Sequence, residues 1–158
     1  MYMDSSSNLF KDREIKALGF IKIGNYQKAE TIYRELINEG STNAVVYLNL
    51  ATILQLRGVD IETISLLQKS IYLNKELPEA HNNLGIEFQN KGSLKNAILS
   101  FEQAIKLNPN YSDAYFNLGN ALKEINDIES AIKKYKQAIQ LNPNNYKAYN
   151  NLGIILYE

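Results

Sequence analysis

The sequence predicts an all-α fold built from stacked pairs of antiparallel helices. The segment AILSFEQAIKLNPN at residues 97–110 returns as AIKKYKQAIQLNPN at residues 131–144. The tripeptide NLG recurs with the same offset at residues 83–85, 117–119 and 151–153. Apolar residues within each copy follow helical spacing, and a glycine or asparagine separates two such stretches. A period of about 34 residues is typical of helical repeats, whose units bury their apolar faces against one another.

The first two copies, residues 10–43 and 44–77, are divergent in sequence but keep the register. In the first copy, Arg13 and Lys16 occupy positions that are apolar or aromatic in the neighbouring copies. We therefore expect its first helix to be exposed enough to carry these charges. Residues 1–9 are polar, and we expect them to form a flexible N-terminus.

The copies at residues 78–111 and 112–145 show the repeat unit most clearly. The first helix of the former carries an apolar face at spacings of three and four residues, formed by His81, Leu84, Gly85 and Phe88. A second apolar stripe follows, formed by Leu94, Ala97, Ile98, Phe101, Ala104 and Ile105. Gly92 separates the stripes, and Asn126 takes its place in the next copy, because asparagine tolerates a left-handed backbone. Pro109 then follows the second helix, where it cannot continue the hydrogen-bond ladder.

The last segment, residues 146–158, repeats only the first helix of a unit. An apolar stripe without its second helix is exposed to water and to other molecules. Three explanations stay open: a piece of a longer protein, which we favour, a modified cap, or self-association through Tyr146 to Glu158.

The order of residues within the repeats resembles the tetratricopeptide repeat signature. In residues 112–145 the matching residues are Tyr115, Leu118, Gly119, Leu122, Ala131, Tyr135, Ala138 and Pro143. The resemblance covers residues 10–158 and implies a right-handed superhelical solenoid. It also implies that Gly85 and Gly119 lie where the first helix of a unit meets Ala97 and Ala131 of the second.

The resemblance further implies a concave groove that is lined by the first helices and takes a peptide or a partner helix. One asparagine recurs at the repeat period, one step from the apolar face, and forms a ladder of Asn49, Asn83, Asn117 and Asn151. Because an amide can both donate and accept, such a ladder could bind the main chain of an extended peptide. The alternative is that asparagine simply suits this face. The neighbouring groove candidates are Asn82, Asn120, Asn150, Phe116, Lys123 and Lys147.

The predicted function is a protein-interaction scaffold or adaptor rather than an enzyme. The first alternative, carried by the resemblance alone, is a substrate-recruiting arm of a larger glycosyl-, sulfo- or methyltransferase; the second is a self-associating structural module. A receptor for chaperone tails is not predicted, because Glu79 and Asn83 stand where such a clamp requires cations.

Composition excludes several classes of function. Lys+Arg and Asp+Glu number 17 each, so the formal net charge is +0, and no overall field attracts nucleic acid or an anionic membrane. The chain has no cysteine, and no apolar run is long enough for a membrane helix, so we expect a cytoplasmic protein. His81, the one histidine, replaces a tyrosine of other copies and is expected to pack. Common catalytic motifs are absent, and neither metal nor cofactor is expected.

Overall fold

The computed structural model describes residues 5–58 and 62–157 of the chain. Those residues form nine α-helices joined by short turns, and no strand occurs among them. The all-α repeat fold predicted from the sequence is therefore confirmed. The chain divides into two compact units, Met1–Lys75 and Glu76–Glu158.

The first unit contains four helices, which pack as two antiparallel pairs. They are α1 (Ser5–Lys22), α2 (Tyr26–Asn38), α3 (Ala44–Leu56) and α4 (Thr63–Leu73). Their apolar faces enclose a core in which Tyr33, Leu36 and Leu50 are almost fully buried. Burial of each of these side chains contributes about 1.5–3 kcal/mol.

The structure adds detail at the start of the first repeat. Helix α1 begins at Ser5 and residues 1–4 lie outside the described residues, so the flexibility expected of residues 1–9 stays a prediction. The segment after Ser5 contains no proline, the residue that would interrupt a helix, until the end of α1. The guanidinium of Arg13 donates to Glu35 Oε2 on α2 at 2.9 Å and to Oε2 of Glu39, which follows the end of α2, at 2.6 Å. Lys16 is exposed, as expected.

The second unit contains five helices. They are α5 (Pro78–Asn90), α6 (Leu94–Leu107), α7 (Ser112–Glu124), α8 (Ile128–Leu141) and α9 (Tyr146–Tyr157). The first helices α5, α7 and α9 begin at equivalent positions of consecutive repeats. Two clusters of buried side chains join them to α6 and α8, one centred on Phe101 and Leu118, the other on Tyr135 and Ala148.

The turn inside each repeat depends on a left-handed residue, as the sequence predicted. Gly92 has φ 71° and Asn126 has φ 65°. After Asn126, the Asp127 amide donates to Leu122 O at 2.9 Å, which closes the end of α7. Asp127 Oδ1 then accepts from the Ser130 amide at 3.2 Å and caps the start of α8.

The helices of a pair approach most closely at a glycine of the first helix. A Cβ atom added at Gly119 would lie 2.7 Å from Cε1 of Tyr135, and one at Gly85 would lie 2.5 Å from Cε1 of Phe101. The aromatic ring of the second helix thus occupies the space that glycine leaves. The ring lies one helical turn after the alanine expected at this contact, and both belong to the same buried cluster, Ala97 with Phe101 and Ala131 with Tyr135.

Candidate functional site

A cleft of about 460 Å³ opens on the second unit. Helix α5 lines it with Asn82, Asn83 and Ile86. The turn before α7 and α7 itself add Tyr111, Asp113, Phe116 and Asn117, and the turn before α9 and the start of α9 add Asn142, Asn144, Asn145, Tyr146 and Lys147. The cleft therefore has amides, aromatic rings and charges of both signs, which suits a polar, extended ligand better than a compact apolar one.

Amide groups from α5 and α7 are hydrogen-bonded to one another at the floor of this cleft. Asn117 Nδ2 donates to Asn82 Oδ1 at 3.0 Å, and Asn82 is only 4 % exposed. Asn82 Nδ2 in turn lies 3.4 Å from Asn83 Oδ1. This bond from its nitrogen to Asn82 holds the amide of Asn117 in one orientation.

A second amide pair joins α7 to α9. Asn151 Nδ2 donates to Asn120 Oδ1 at 2.8 Å, and the same oxygen accepts from the Tyr135 hydroxyl at 2.9 Å. Burial raises the pKa of Tyr135, while its hydrogen bond with Asn151 acts in the opposite direction. This node stabilises the contact between consecutive repeats and does not line the cleft.

Asn49 belongs to the first unit and is also engaged inside the protein. Its Nδ2 donates to the Tyr33 hydroxyl at 3.0 Å. The ladder expected from the sequence is therefore not a row of uncommitted amides, since three of its members hold neighbouring helices together. The reason is geometric: this face of a first helix borders both the groove and the preceding repeat.

The predicted groove residues separate into two groups. The cleft brings together Asn82, Asn83, Phe116, Asn117 and Lys147. It does not include Asn120, Asn150, Asn151 or Lys123. Asn150 instead borders a different surface depression, of about 470 Å³, with Gly153, Ile154 and Tyr157.

The sequence reasoning missed several residues that line the cleft. Asn142, Asn144 and Asn145 belong to the turn that follows α8, which was considered only as a helix stop. Asp113 and Lys147 share one repeat position with Glu79, at the first turn of each first helix. The charge at this position changes from repeat to repeat in an otherwise regular sequence, and this change could have indicated that the position belongs to a binding surface.

The pKa of Tyr111 reflects the charges that surround the cleft. Burial raises the pKa of its hydroxyl to about 12, and the carboxylates of Glu79 and Asp113 add to the shift. Ionised tyrosine is disfavoured where two negative charges already lie nearby. This end of the cleft is therefore negative, whereas Lys147 makes the α9 side positive.

The exposed face of α9 is the location expected for self-association. Tyr149, Ile154 and Leu156 are each at least 45 % exposed, and Tyr157 is 95 % exposed. A Cβ atom at Gly153 would meet nothing within 4 Å, unlike one at the equivalent Gly119. Glu158, which the expectation included, lies outside the described residues.

Neither a candidate metal cluster nor a membrane-spanning helix occurs in the part of the chain that the structure describes. No group of three or more histidine, cysteine, aspartate or glutamate residues there could hold a metal ion. None of the helices there is both long enough and apolar enough to cross a membrane.

The C-terminal part of the sequence matches a known family model. A family model described as TPR repeat matches residues 87–126 and 119–158. Comparison with curated protein sequences gave no match.

Solved structures with a similar fold include MamA, with 24 % identity and a TM-score of 0.78, covering 98 % of this chain and 84 % of that one. YrrB, described as a TPR protein with an unusual peptide-binding site, has 21 % identity and a TM-score of 0.78, covering 92 % of this chain and 75 % of that one. The first TPR of Spaghetti (RPAP3), bound to an HSP90 peptide, has 26 % identity and a TM-score of 0.70, covering 74 % of this chain and 95 % of that one.

Proposed function

The chain belongs to the tetratricopeptide repeat family, and from that premise we propose that its second unit binds an extended peptide segment of another protein in the cleft between α5, α7 and α9. The single observation that carries the proposal is the orientated amide of Asn117. Its nitrogen donates to the buried Asn82, and Asn117 lines the cleft together with Phe116.

An extended peptide presents a main-chain N–H and C=O at every residue, so it matches a surface of fixed amides. Aromatic side chains add apolar contact at low cost in conformational entropy. Phe116, Tyr111 and the exposed Tyr146 supply this contact around the amides. YrrB and the Spaghetti repeat, whose structures are described with a peptide-binding site and a bound peptide, support peptide binding by this fold.

The test is a selection of peptides from a random display library on the full chain, followed by fluorescence anisotropy with the selected peptides. Tyr146→Ser removes a cleft side chain that is 74 % exposed, and Tyr72→Ser removes one that is 75 % exposed on α4. We expect the first variant to weaken binding about tenfold and the second to leave it unchanged. Equal affinity of both variants for every selected peptide would contradict the proposal.

Self-association through the exposed face of α9 is the second candidate, favoured by the open space at Gly153. Light scattering coupled to size-exclusion chromatography, over a hundredfold range of concentration, tests it. A constant mass near the 18.0 kDa of the monomer would exclude it. The transferase-arm alternative stays a prediction from the family resemblance.

A further inference from the structure

One repeat position carries a row of charges across the first helices of the second unit. The residues are Glu79 on α5, Asp113 on α7 and Lys147 on α9, which are equivalent in consecutive repeats and are all exposed. None of them forms an ion pair with another side chain among residues 5–58 and 62–157. The row is negative on α5 and α7 and positive on α9. Because these charges are not neutralised by ion pairs within the described residues, they can attract complementary charges on a partner.

The row borders the proposed peptide cleft. Asp113 and Lys147 line the cleft directly, and Glu79 lies close enough to Tyr111, another lining residue, to raise its pKa together with Asp113. The three helices are consecutive neighbours, since α5 and α7 are joined by the bond between Asn82 and Asn117, and α7 and α9 by the bond between Asn120 and Asn151.

The spacing of the row sets the spacing of complementary charges on a ligand. Directly packed helices lie about 8–10 Å apart, and we infer a similar step along the row, because side-chain hydrogen bonds join α5 to α7 and α7 to α9. A polyproline II segment advances about 3.1 Å per residue with three residues per turn, so every third side chain points to the same side about 9 Å further along. Its main-chain groups make no internal hydrogen bonds, which leaves them for the amides of the cleft.

We propose that the preferred partner is an extended, polyproline II-like peptide carrying lysine or arginine, lysine or arginine, and then aspartate or glutamate at three-residue intervals. The two cations face Glu79 and Asp113, and the anion faces Lys147. This proposal rests on the proposed peptide-binding function and adds the order of charges along the peptide, read from α5 to α9. A β-strand ligand would not fit as well, because its side chains alternate between faces with a period of two.

The experiment uses the random display library on the full chain in three forms. The first is the wild type, and the second is the exchange Asp113→Lys with Lys147→Asp. The third is a matched control, Glu102→Lys with Lys136→Glu, whose positions are likewise equivalent in consecutive repeats and exposed but lie on α6 and α8 outside the cleft. Circular dichroism and thermal melting establish that all three are folded.

We expect the wild type and the control to select the same charge order, and the exchange variant to bind those peptides about tenfold more weakly and to select an anion opposite residue 113. Selected peptides without this order, or affinities indifferent to the exchange, would overturn the charge pattern while leaving peptide binding in place. If no peptide is selected whose binding depends on Tyr146, the proposed function fails, and the charge pattern fails with it.

Discussion

Asn49 on α3 donates a hydrogen bond through Nδ2 to the hydroxyl of Tyr33 on α2, over 3.0 Å. The two residues are 16 positions apart, and so are Tyr135 and Asn151, whose hydroxyl oxygen and Nδ2 lie 3.5 Å apart. The repeat formed by α5 and α6 has Phe101 where the next repeat has Tyr135. Phenylalanine has no hydroxyl group, and Asn117 bonds to Asn82 instead. The aromatic residue of one repeat therefore influences which partner the asparagine of the next repeat takes.

A double-mutant cycle measures the bond between Asn49 and Tyr33. We expect Asn49→Ala and Tyr33→Phe each to lower the free energy of unfolding by about 1 kcal/mol, because each leaves the other polar group without its partner. The double variant should lose about as much as either single one, giving a coupling of about 1 kcal/mol in urea denaturation. Strictly additive losses would show that the two side chains do not interact.

The glycines of the first helices should differ in their tolerance of alanine. At Gly119 an added Cβ meets the fully buried ring of Tyr135, so we expect Gly119→Ala to destabilise the protein by about 1–3 kcal/mol. At Gly153 nothing lies within 4 Å, and Gly153→Ala should stabilise α9 by up to about 1 kcal/mol through its higher helix propensity. Thermal denaturation followed by circular dichroism compares the two, and a similar loss in both would refute the placement of the ring.

The period and the turn residues were enough to predict most of this fold. The offset between copies located the first helices, and Gly92 and Asn126 marked the left-handed turns. The site was only partly predictable. The partners of Asn117 and Asn151 lie 35 and 31 residues away on an adjacent first helix, so neither helical spacing nor the repeat offset pairs them. A strict repeat identifies equivalent positions, whereas these bonds join positions that are not equivalent.

Tyr111 makes stability depend on pH in the alkaline range. Its folded-state pKa is raised to about 12 by burial and by Glu79 and Asp113, compared with about 10 in an unfolded chain. The folded protein therefore disfavours the ionised form of this hydroxyl. Its contribution to the free energy of unfolding is fully present below about pH 10 and is lost as the pH rises toward 12. We expect the fall in unfolding free energy between about pH 9.5 and 11.5 to be smaller in Tyr111→Phe.

Urea denaturation at both pH values measures this difference between the wild type and the variant. Asp113→Asn serves as an intermediate case, because it removes one of the two carboxylates that disfavour ionisation but leaves the hydroxyl in place. Parallel losses of stability in the wild type and in Tyr111→Phe would show that Tyr111 titrates normally.

Asn82 should act on peptide binding chiefly by positioning Asn117. It is nearly buried, and its oxygen holds the amide nitrogen of Asn117. In Asn82→Ala that hold is lost, so Asn117 gains rotational freedom that a ligand must remove on binding, and we expect affinity to fall about five- to tenfold. Asn150→Ala, on the exposed face of α9 outside the cleft, is the matched control and should bind as the wild type does.

The same pair of variants separates positioning from general damage to the fold. Loss of one hydrogen bond should lower the free energy of unfolding by about 1 kcal/mol in Asn82→Ala, which leaves the protein folded at about 25 °C. Isothermal titration calorimetry should then show a larger entropic penalty of binding with most of the enthalpy retained. If Asn82→Ala binds peptides with unchanged affinity, the hydrogen bond between Asn117 and Asn82 has no role in recognition.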